Sequence, residues 1–113
     1  MDPAAGRSEI RPGALQKRLQ TGEKVPILDV REPDELNVCQ LKDTINIPMS
    51  QLGARVDELQ AHKGGPLVVM CKAGGRSRRC VDFLRSLGFK DVINLDGGIL
   101  AWSDEVDSSV QKY

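Results

Sequence analysis

The sequence predicts an α/β fold, with a mostly parallel central sheet and helices on both of its faces. Short strand segments alternate with helical segments along the whole chain. Each predicted strand is apolar on both faces, as expected for strands buried between two layers of helices. A length of 113 residues fits a single domain with its own core. Ligands of such sheets bind beyond the carboxyl ends of the strands.

The first half of the chain is predicted to contain two helices and two strands. The first helix has Leu15 and Leu19 at helical spacing, Pro12 at its start and Gly22 as its stop. The second helix carries acidic residues in its first turn, where the helix dipole favours them. The predicted ranges are a helix over 10–20, a strand over 25–30, a short helix over 32–36 and a strand over 44–47.

The second half begins with a helix for which Ser50 is the predicted N-cap. A continuous apolar run over 66–70 predicts a buried strand. A helix follows from Ser77, then a strand over 91–95 and a last helical turn over 99–102. The helix from Ser77 has an apolar stripe at helical spacing, formed by Cys80, Val81, Phe83, Leu84 and Leu87.

Composition argues against several classes of function. The 16 basic residues balance the 16 acidic ones, which disfavours nucleic-acid binding and a basic membrane-facing surface. No apolar run approaches the roughly 20 residues that span a bilayer. The three cysteines lack metal-binding spacing, so we expect no metal and no cofactor. Their odd number predicts free thiols in a reducing compartment, the cytoplasm.

Cys71 directly follows the predicted buried strand and precedes two glycines and an arginine. A cysteine between a strand and a helix lies near backbone N–H groups and the positive end of the helix dipole, which favour the thiolate. Gly74 and Gly75 permit positive φ and close approach to an anion. Arg76 adds a fixed positive charge. The pattern predicts a loop that holds an anion bound to, or attacked by, sulfur.

A cysteine that only packs is the alternative, since free cysteine is among the most buried residue types. The glycine-rich, basic loop after Cys71 favours the chemical role, because a packing cysteine has no need of such a loop.

Four segments, in order along the chain, resemble the rhodanese-like sulfurtransferase family. They are 27–32 (ILDVRE) with Glu35, 45–48 (INIP), 71–77 (CKAGGRS) and 94–98 (NLDGG) with Trp102. The resemblance implies a single rhodanese-like domain over 8–103. Residues 1–7 are then expected to be a flexible leader or linker remnant, and 104–113 a polar, loosely held tail.

The resemblance implies a role for each residue of the loop. Cys71 would take a sulfane sulfur from a donor, carry it as a persulfide and pass it to a nucleophilic acceptor. The outer sulfur would be held by the backbone N–H groups that follow, those of Lys72, Ala73, Gly74, Gly75 and Arg76. Arg76 would also close the loop around the sulfur, and Lys72 would attract anionic donors such as thiosulfate.

Several residues outside the loop are also candidates. Asp29 and Arg31 resemble the family's pair near the loop, and we expect a structural ion pair that supports it. His62 is expected to be solvated in a surface turn. Cys80 falls on an apolar stripe and is predicted to be buried, whereas Cys39 lies in a predicted loop and is a candidate resolving thiol.

Two other functions stay open. One is a catalytically inactive rhodanese module for protein interaction or regulation, although inactive copies typically lose the cysteine that this chain keeps. The other is a dual-specificity phosphatase or arsenate reductase. Related phosphatases have one residue more between the cysteine and the arginine, which widens the loop for a tetrahedral phosphate. The shorter Cys71–Arg76 loop is better suited to a single sulfur atom.

Two residues make the chain resemble one subgroup of the family. One is Cys39, in a stretch where many rhodaneses have a histidine, and the other is the tyrosine at position 113. This subgroup comprises the C-terminal rhodanese domains of adenylyltransferase–sulfurtransferases, which supply ubiquitin-like sulfur carriers for molybdenum cofactor biosynthesis or tRNA thiolation. This resemblance implies an excised domain with a sulfur-carrier protein as its partner. A cysteine desulfurase is a further possible partner, and the loop sequence fits free-standing bacterial rhodaneses equally well.

Overall fold

The computed structural model of the protein describes residues 8–113, and the expected leader over 1–7 lies outside the described residues. Five strands are present in this range: β1 (Glu9–Ile10), β2 (Ile27–Asp29), β3 (Ile45–Asn46), β4 (Pro66–Met70) and β5 (Asp91–Leu95). They form one sheet in the order β1-β5-β4-β2-β3, and every pairing is parallel. The predicted parallel sheet is confirmed.

Helices cover both faces of this sheet. They are α1 (Pro12–Gln20), α2 (Pro33–Val38), α3 (Met49–Arg55), α4 (Gly75–Ser86) and α5 (Gly98–Glu105), with a 3-10 helix (Val56–His62) directly after α3. On one face, Leu52 of α3 and Leu84 of α4 join a buried apolar cluster. On the other face, Leu15 of α1 and Ile99 of α5 join a second cluster. None of these helices is long and apolar enough to cross a membrane.

Strand β4 occupies the middle of the sheet and positions the site. It pairs with β5 on one side and with β2 on the other, so Val69 lies opposite both Asn94 and Leu28. Successive side chains point to opposite faces, which places Val68 in one apolar cluster and Val69 in the other. Met70 ends the strand, so Cys71 stands at the carboxyl edge of the sheet.

The structure corrects three local predictions. Ile10 belongs to β1, where it pairs with Leu95, and not to the first helix. Helix α4 begins at Gly75, two residues before the predicted start, since Gly74 takes a left-handed conformation and serves as the N-cap. Ser50 is not an N-cap, because Pro48 occupies that position. Its hydroxyl instead donates to the Glu32 carboxylate.

The tail after residue 103 is packed, contrary to the loose attachment predicted from its polarity. Helix α5 continues to Glu105, and the hydroxyl of Ser103 donates to the carbonyl of Val110 over 2.7 Å. Val110 and Tyr113 pack against the apolar cluster that contains Leu15 and Ile99. Two apolar anchors therefore hold a tail whose other residues are mostly polar.

The apolar stripe of α4 is narrower than predicted. Cys80, Val81 and Leu84 are buried, but Phe83 and Leu87 are 37% and 40% exposed. Only one side of this helix faces the sheet, and these two side chains lie beyond that contact.

Candidate active site

Cys71 lies in a four-residue turn between β4 and α4, and it is only 1% exposed. The turn closes at Gly74, whose φ of 104° lies in the left-handed region that glycine adopts without strain. The first N–H groups of a helix have no partner within the helix, and they carry the positive end of its dipole. The turn brings this end of α4 against the sulfur of Cys71.

Backbone and hydroxyl groups of the turn and of α4 donate hydrogen bonds to the Cys71 sulfur. The backbone N–H groups of Gly74 and Ser77 donate over 3.1 and 3.4 Å, and the Ser77 hydroxyl lies 3.3 Å from Sγ. Burial raises the pKa of the Cys71 thiol, but donors from Ser77, Gly74 and Ala73 together outweigh it, so the pKa lies below its ordinary value. The site favours the nucleophilic thiolate.

Asn94 of β5 forms the buried wall behind these donors. Its Oδ1 lies 2.5 Å from the Ser77 hydroxyl, and its Nδ2 donates to the Gly74 carbonyl over 3.3 Å. The same Nδ2 donates to the carboxylate of Glu9 on β1. Ser77 and Asn94 are 0% and 2% exposed, so water does not compete for these bonds. Asn94 therefore contacts Gly74 and Ser77, which each donate to the Cys71 sulfur.

Helix α5 fixes the turn from the other side. The N–H groups of Ile99 and Leu100 donate to the carbonyls of Cys71 and Lys72 over 2.9 and 3.1 Å. Gly98 allows this approach, because a Cβ on it would lie only 2.4 Å from the Lys72 carbonyl oxygen. Its φ of 63° also favours glycine. The Gly97–Gly98 pair at the start of α5 thus positions the Cys71 turn.

Arg76 is held by Glu35 of α2. Its two terminal nitrogens each donate to a carboxylate oxygen of Glu35 over 2.7 Å. Glu35 also accepts from the backbone N–H of Glu32 over 2.9 Å, which completes the capping box of α2. The hydrogen bonds from Arg76, opposed by partial burial, lower the pKa of Glu35 to about 2. Arg76 thus stands beside the Cys71 turn with a fixed orientation.

Asp29 and Arg31 form the expected ion pair, with both side chains 0% exposed and a shortest distance of 2.8 Å. Burial opposes the charge on Arg31, yet hydrogen bonds with Asp29 and Tyr113 raise its pKa above the ordinary value. Arg31 also donates to the carbonyls of Glu35 and Cys39 over 3.4 and 3.0 Å. Arg31 thus contacts Glu35, which in turn binds Arg76 beside the Cys71 turn. That the Asp29–Arg31 pair supports the loop stays a prediction.

Lys72 is held over the ring of Tyr113, with Nζ 4.5 Å from the ring centroid. The Tyr113 hydroxyl donates to Glu35 over 2.8 Å and accepts from Arg31 over 3.1 Å. The packed tail therefore completes the rim of the site. The predicted attraction of anionic donors by Lys72 is untested, but its charge does lie at this rim.

The other two cysteines have different surroundings. Cys80 is buried on the same face as Cys71, and burial, followed by the nearby Cys71 charge, raises the pKa of Cys80 to about 11. Cys39 packs on the opposite face, against the cluster that contains Met70. Cys39 and Cys71 thus belong to different apolar clusters, and a resolving role for Cys39 stays a prediction.

Cys71, Arg76 and the loop between them were predicted from the sequence to form one site. Four residues around that site had no predicted role. Those residues are Glu35, Ser77, Asn94 and Tyr113. The first three lie inside the motifs that carried the family resemblance, so their positions were visible. Their pairings join segments far apart in the chain. No local sequence pattern predicts that Tyr113 contacts the site.

The chain is similar to known proteins of one family. The Rhodanese-like domain family matches residues 11–105. A sulfurtransferase of Allochromatium vinosum is 33% identical over 85% of this chain and 88% of its own length. A rhodanese-related protein from Thermoplasma volcanium has a TM-score of 0.76 at 33% identity, covering 87% of this chain and 92% of that one.

A further relative is the probable adenylyltransferase/sulfurtransferase MoeZ of Mycobacterium tuberculosis, 30% identical over 97% of this chain. This chain spans only 28% of the length of that protein. A rhodanese-like/PpiC domain-containing chloroplastic protein of Arabidopsis thaliana is 37% identical over 80% of this chain, which spans 31% of its length. The family match extends over most of the described domain and includes the Cys71 turn. The chain belongs to the rhodanese-like sulfurtransferase family.

Proposed function

We propose that the protein transfers sulfane sulfur by way of a persulfide on Cys71. The observation that carries the proposal is the buried Cys71 sulfur, which accepts a 3.1 Å hydrogen bond from the Gly74 N–H at the start of α4. Such donors stabilise the thiolate, so the nucleophile needs no separate general base.

In the loading step the Cys71 thiolate attacks the outer sulfur of thiosulfate. A new S–S bond forms, the S–S bond of thiosulfate breaks, and sulfite leaves with the bonding electron pair. The product is a persulfide whose negative charge lies on the outer sulfur. The N–H groups of the turn, from Lys72 to Arg76, are suited to stabilise that charge, as an oxyanion hole does. A nucleophile such as cyanide then takes the outer sulfur and returns the thiolate.

Lys72 supplies positive charge at the rim of the site, where it stands over the ring of Tyr113. Arg76 keeps its orientation through Glu35, whose carboxylate balances its charge. The Lys72 charge favours a dianion such as thiosulfate as the incoming donor. Thiosulfate and cyanide are therefore the proposed substrates in vitro.

The names of the relatives support a proposal for the physiological partners. One similar protein is called a probable adenylyltransferase/sulfurtransferase, which supports a ubiquitin-like sulfur-carrier protein as the acceptor here. The associated processes would be molybdenum cofactor biosynthesis or tRNA thiolation, with thiosulfate or a cysteine desulfurase as the source of sulfur. The three free cysteines support action in a reducing compartment such as the cytoplasm.

Turnover of thiosulfate and cyanide to thiocyanate tests the proposal. We expect activity in the wild type and in Cys39→Ser, the matched control on the other face of the sheet, and none in Cys71→Ser. Hydrolysis of an aryl phosphate without thiocyanate formation would identify a phosphatase instead. Failure of the wild type to turn over either substrate would favour the non-catalytic module.

A further inference from the structure

The hydroxyl of Ser77 has one hydrogen and two acceptors within reach. Cys71 Sγ lies at 3.3 Å on one side, and Asn94 Oδ1 lies at 2.5 Å on the other. Both Ser77 and Asn94 are buried, so no bulk water offers a third partner. The hydroxyl therefore serves one acceptor at a time.

The orientation of the Asn94 amide is fixed by its other neighbours. Its Nδ2 faces the Gly74 carbonyl and the Glu9 carboxylate, each at 3.3 Å. Carbonyl and ionised carboxylate oxygens accept hydrogen bonds and cannot donate them. The amide nitrogen must therefore stay on this side, which leaves Oδ1, an acceptor only, turned toward Ser77. Asn94 thus competes with the Cys71 sulfur for the Ser77 hydrogen.

The charge on the Cys71 sulfur decides this competition. A thiolate is a strong acceptor, because hydrogen bonds to ionised groups are the stronger ones. Once Cys71 carries a persulfide, the negative charge moves to the outer sulfur, and Sγ becomes a weak neutral acceptor. The Ser77 hydroxyl is then better satisfied by Asn94.

We propose that Ser77 and Asn94 form a two-position hydroxyl switch. Ser77 donates to the Cys71 thiolate in the sulfur-free protein and to Asn94 Oδ1 in the persulfide state. The hydrogen stays covalently on Ser77 throughout, and only its acceptor changes. Asn94 is a positioning residue that favours the loaded state, and this role rests on the proposed persulfide function.

The pKa of Cys71 tests the switch without any sulfur transfer, through the pH dependence of iodoacetamide alkylation. Ser77→Ala loses a donor to the thiolate and raises the pKa by roughly one unit. Asn94→Ala removes the competing acceptor and lowers it by roughly half a unit. In the double variant Ser77→Ala/Asn94→Ala, the pKa of Cys71 equals that of Ser77→Ala, because Asn94 no longer has a Ser77 hydroxyl to compete for. Ser86→Ala, on the same helix but with its hydroxyl donating to the Phe83 carbonyl, is the control and leaves the pKa of Cys71 unchanged.

A purely structural role for Asn94 gives a different result. If Asn94 did no more than hold Gly74 in place, Asn94→Ala would weaken the Gly74 donor and raise the pKa of Cys71, with or without Ser77. A raised or unchanged pKa in Asn94→Ala overturns the switch. Asn94→Leu, which removes the acceptor at similar volume, repeats the test without a cavity, and thermal melting shows that each variant is folded.

The loading equilibrium gives a second readout. Intact mass after incubation at fixed thiosulfate-to-sulfite ratios measures the fraction of persulfide. Asn94→Ala is expected to lower the equilibrium constant for loading of the thiolate roughly fivefold, since the persulfide state uses the Asn94 acceptor and the thiolate state does not. Wild-type protein that never gains sulfur refutes the proposed function, while wild-type loading with no change in Asn94→Ala refutes the switch alone.

Discussion

Glu35 and Arg76 are separated by 41 residues, yet they are joined by two hydrogen bonds of 2.7 Å each. This paired contact links α2 to the first turn of α4, beside the Cys71 sulfur. A bidentate pair of this kind fixes the plane of the guanidinium as well as its position. Glu35 thereby fixes the orientation of Arg76 beside the Cys71 turn.

Replacement of Glu35 is expected to change the acid stability of the protein. The folded state lowers the pKa of Glu35 from 4.5 to about 2, so the pair stabilises the fold above about pH 4.5. This stabilisation, at most about 3 kcal/mol, is lost as the pH falls from about 4.5 to about 2. Urea unfolding across this pH range should show a smaller loss for Glu35→Gln than for the wild type. Equal losses in both proteins would contradict the assignment.

Gly98→Ala is expected to distort the Cys71 turn. The added Cβ would lie 2.4 Å from the Lys72 carbonyl oxygen and 2.6 Å from the Cys71 carbonyl oxygen. Backbone must move to relieve such a contact, and a cost of about 2–4 kcal/mol follows from overpacking and positive-φ strain. Thermal melting measures the loss. Gly53→Ala, where nothing lies within 4 Å of the new Cβ, is the control and should melt close to the wild type.

Breaking the Asp29–Arg31 pair on one side is expected to be costly. Both side chains are fully buried, so Asp29→Asn leaves an uncompensated guanidinium in the interior. Losses of about 3–5 kcal/mol are typical of this change. The double variant Asp29→Asn/Arg31→Met should lose less than Asp29→Asn alone, because the stranded charge is gone. A double variant that is less stable than the single one would show that Arg31 acts mainly through its other hydrogen bonds.

Tyr113→Phe tests whether the tail stabilises the site. The change removes the hydroxyl that donates to Glu35 over 2.8 Å and accepts from Arg31, but it keeps the ring below Lys72. A loss of about 1–2 kcal/mol in unfolding free energy is expected. Tyr113→Ala also removes the ring and should lose more. Wild-type stability in both variants would mean that the tail does not bind the domain in solution.

The sheet and the central strand were predictable because their signals are local. The apolar run over 66–70 and the segment over 91–95 match β4 and β5 at both ends, as the patterning of buried strands allows. Strand β1, with two residues, is too short to carry a pattern and forms only because Ile10 pairs with Leu95. Its prediction required knowledge of a partner 85 positions away.

The candidate site divides in the same way. Cys71 and Arg76 were predicted as site residues because a buried strand, a glycine-rich turn and the start of a helix follow one another directly in the sequence. Asn94 and Glu35 were not assigned roles, because their contacts depend on which strands and helices the fold places side by side. The position of Tyr113 was the least predictable from the sequence. The residues before it are mostly polar and do not indicate that its ring packs against an apolar cluster beside the site.

Detection of a persulfide on Cys71 tests the proposed sulfur transfer directly. The protein is treated with thiosulfate, separated from excess reagent and examined by intact mass and by peptide mapping without reductant. We expect the gain of one sulfur atom, located on the peptide that contains Cys71, in the wild type and in Cys39→Ser, and no gain in Cys71→Ser. Sulfur on Cys39 or Cys80, or none on any cysteine, would contradict this expectation.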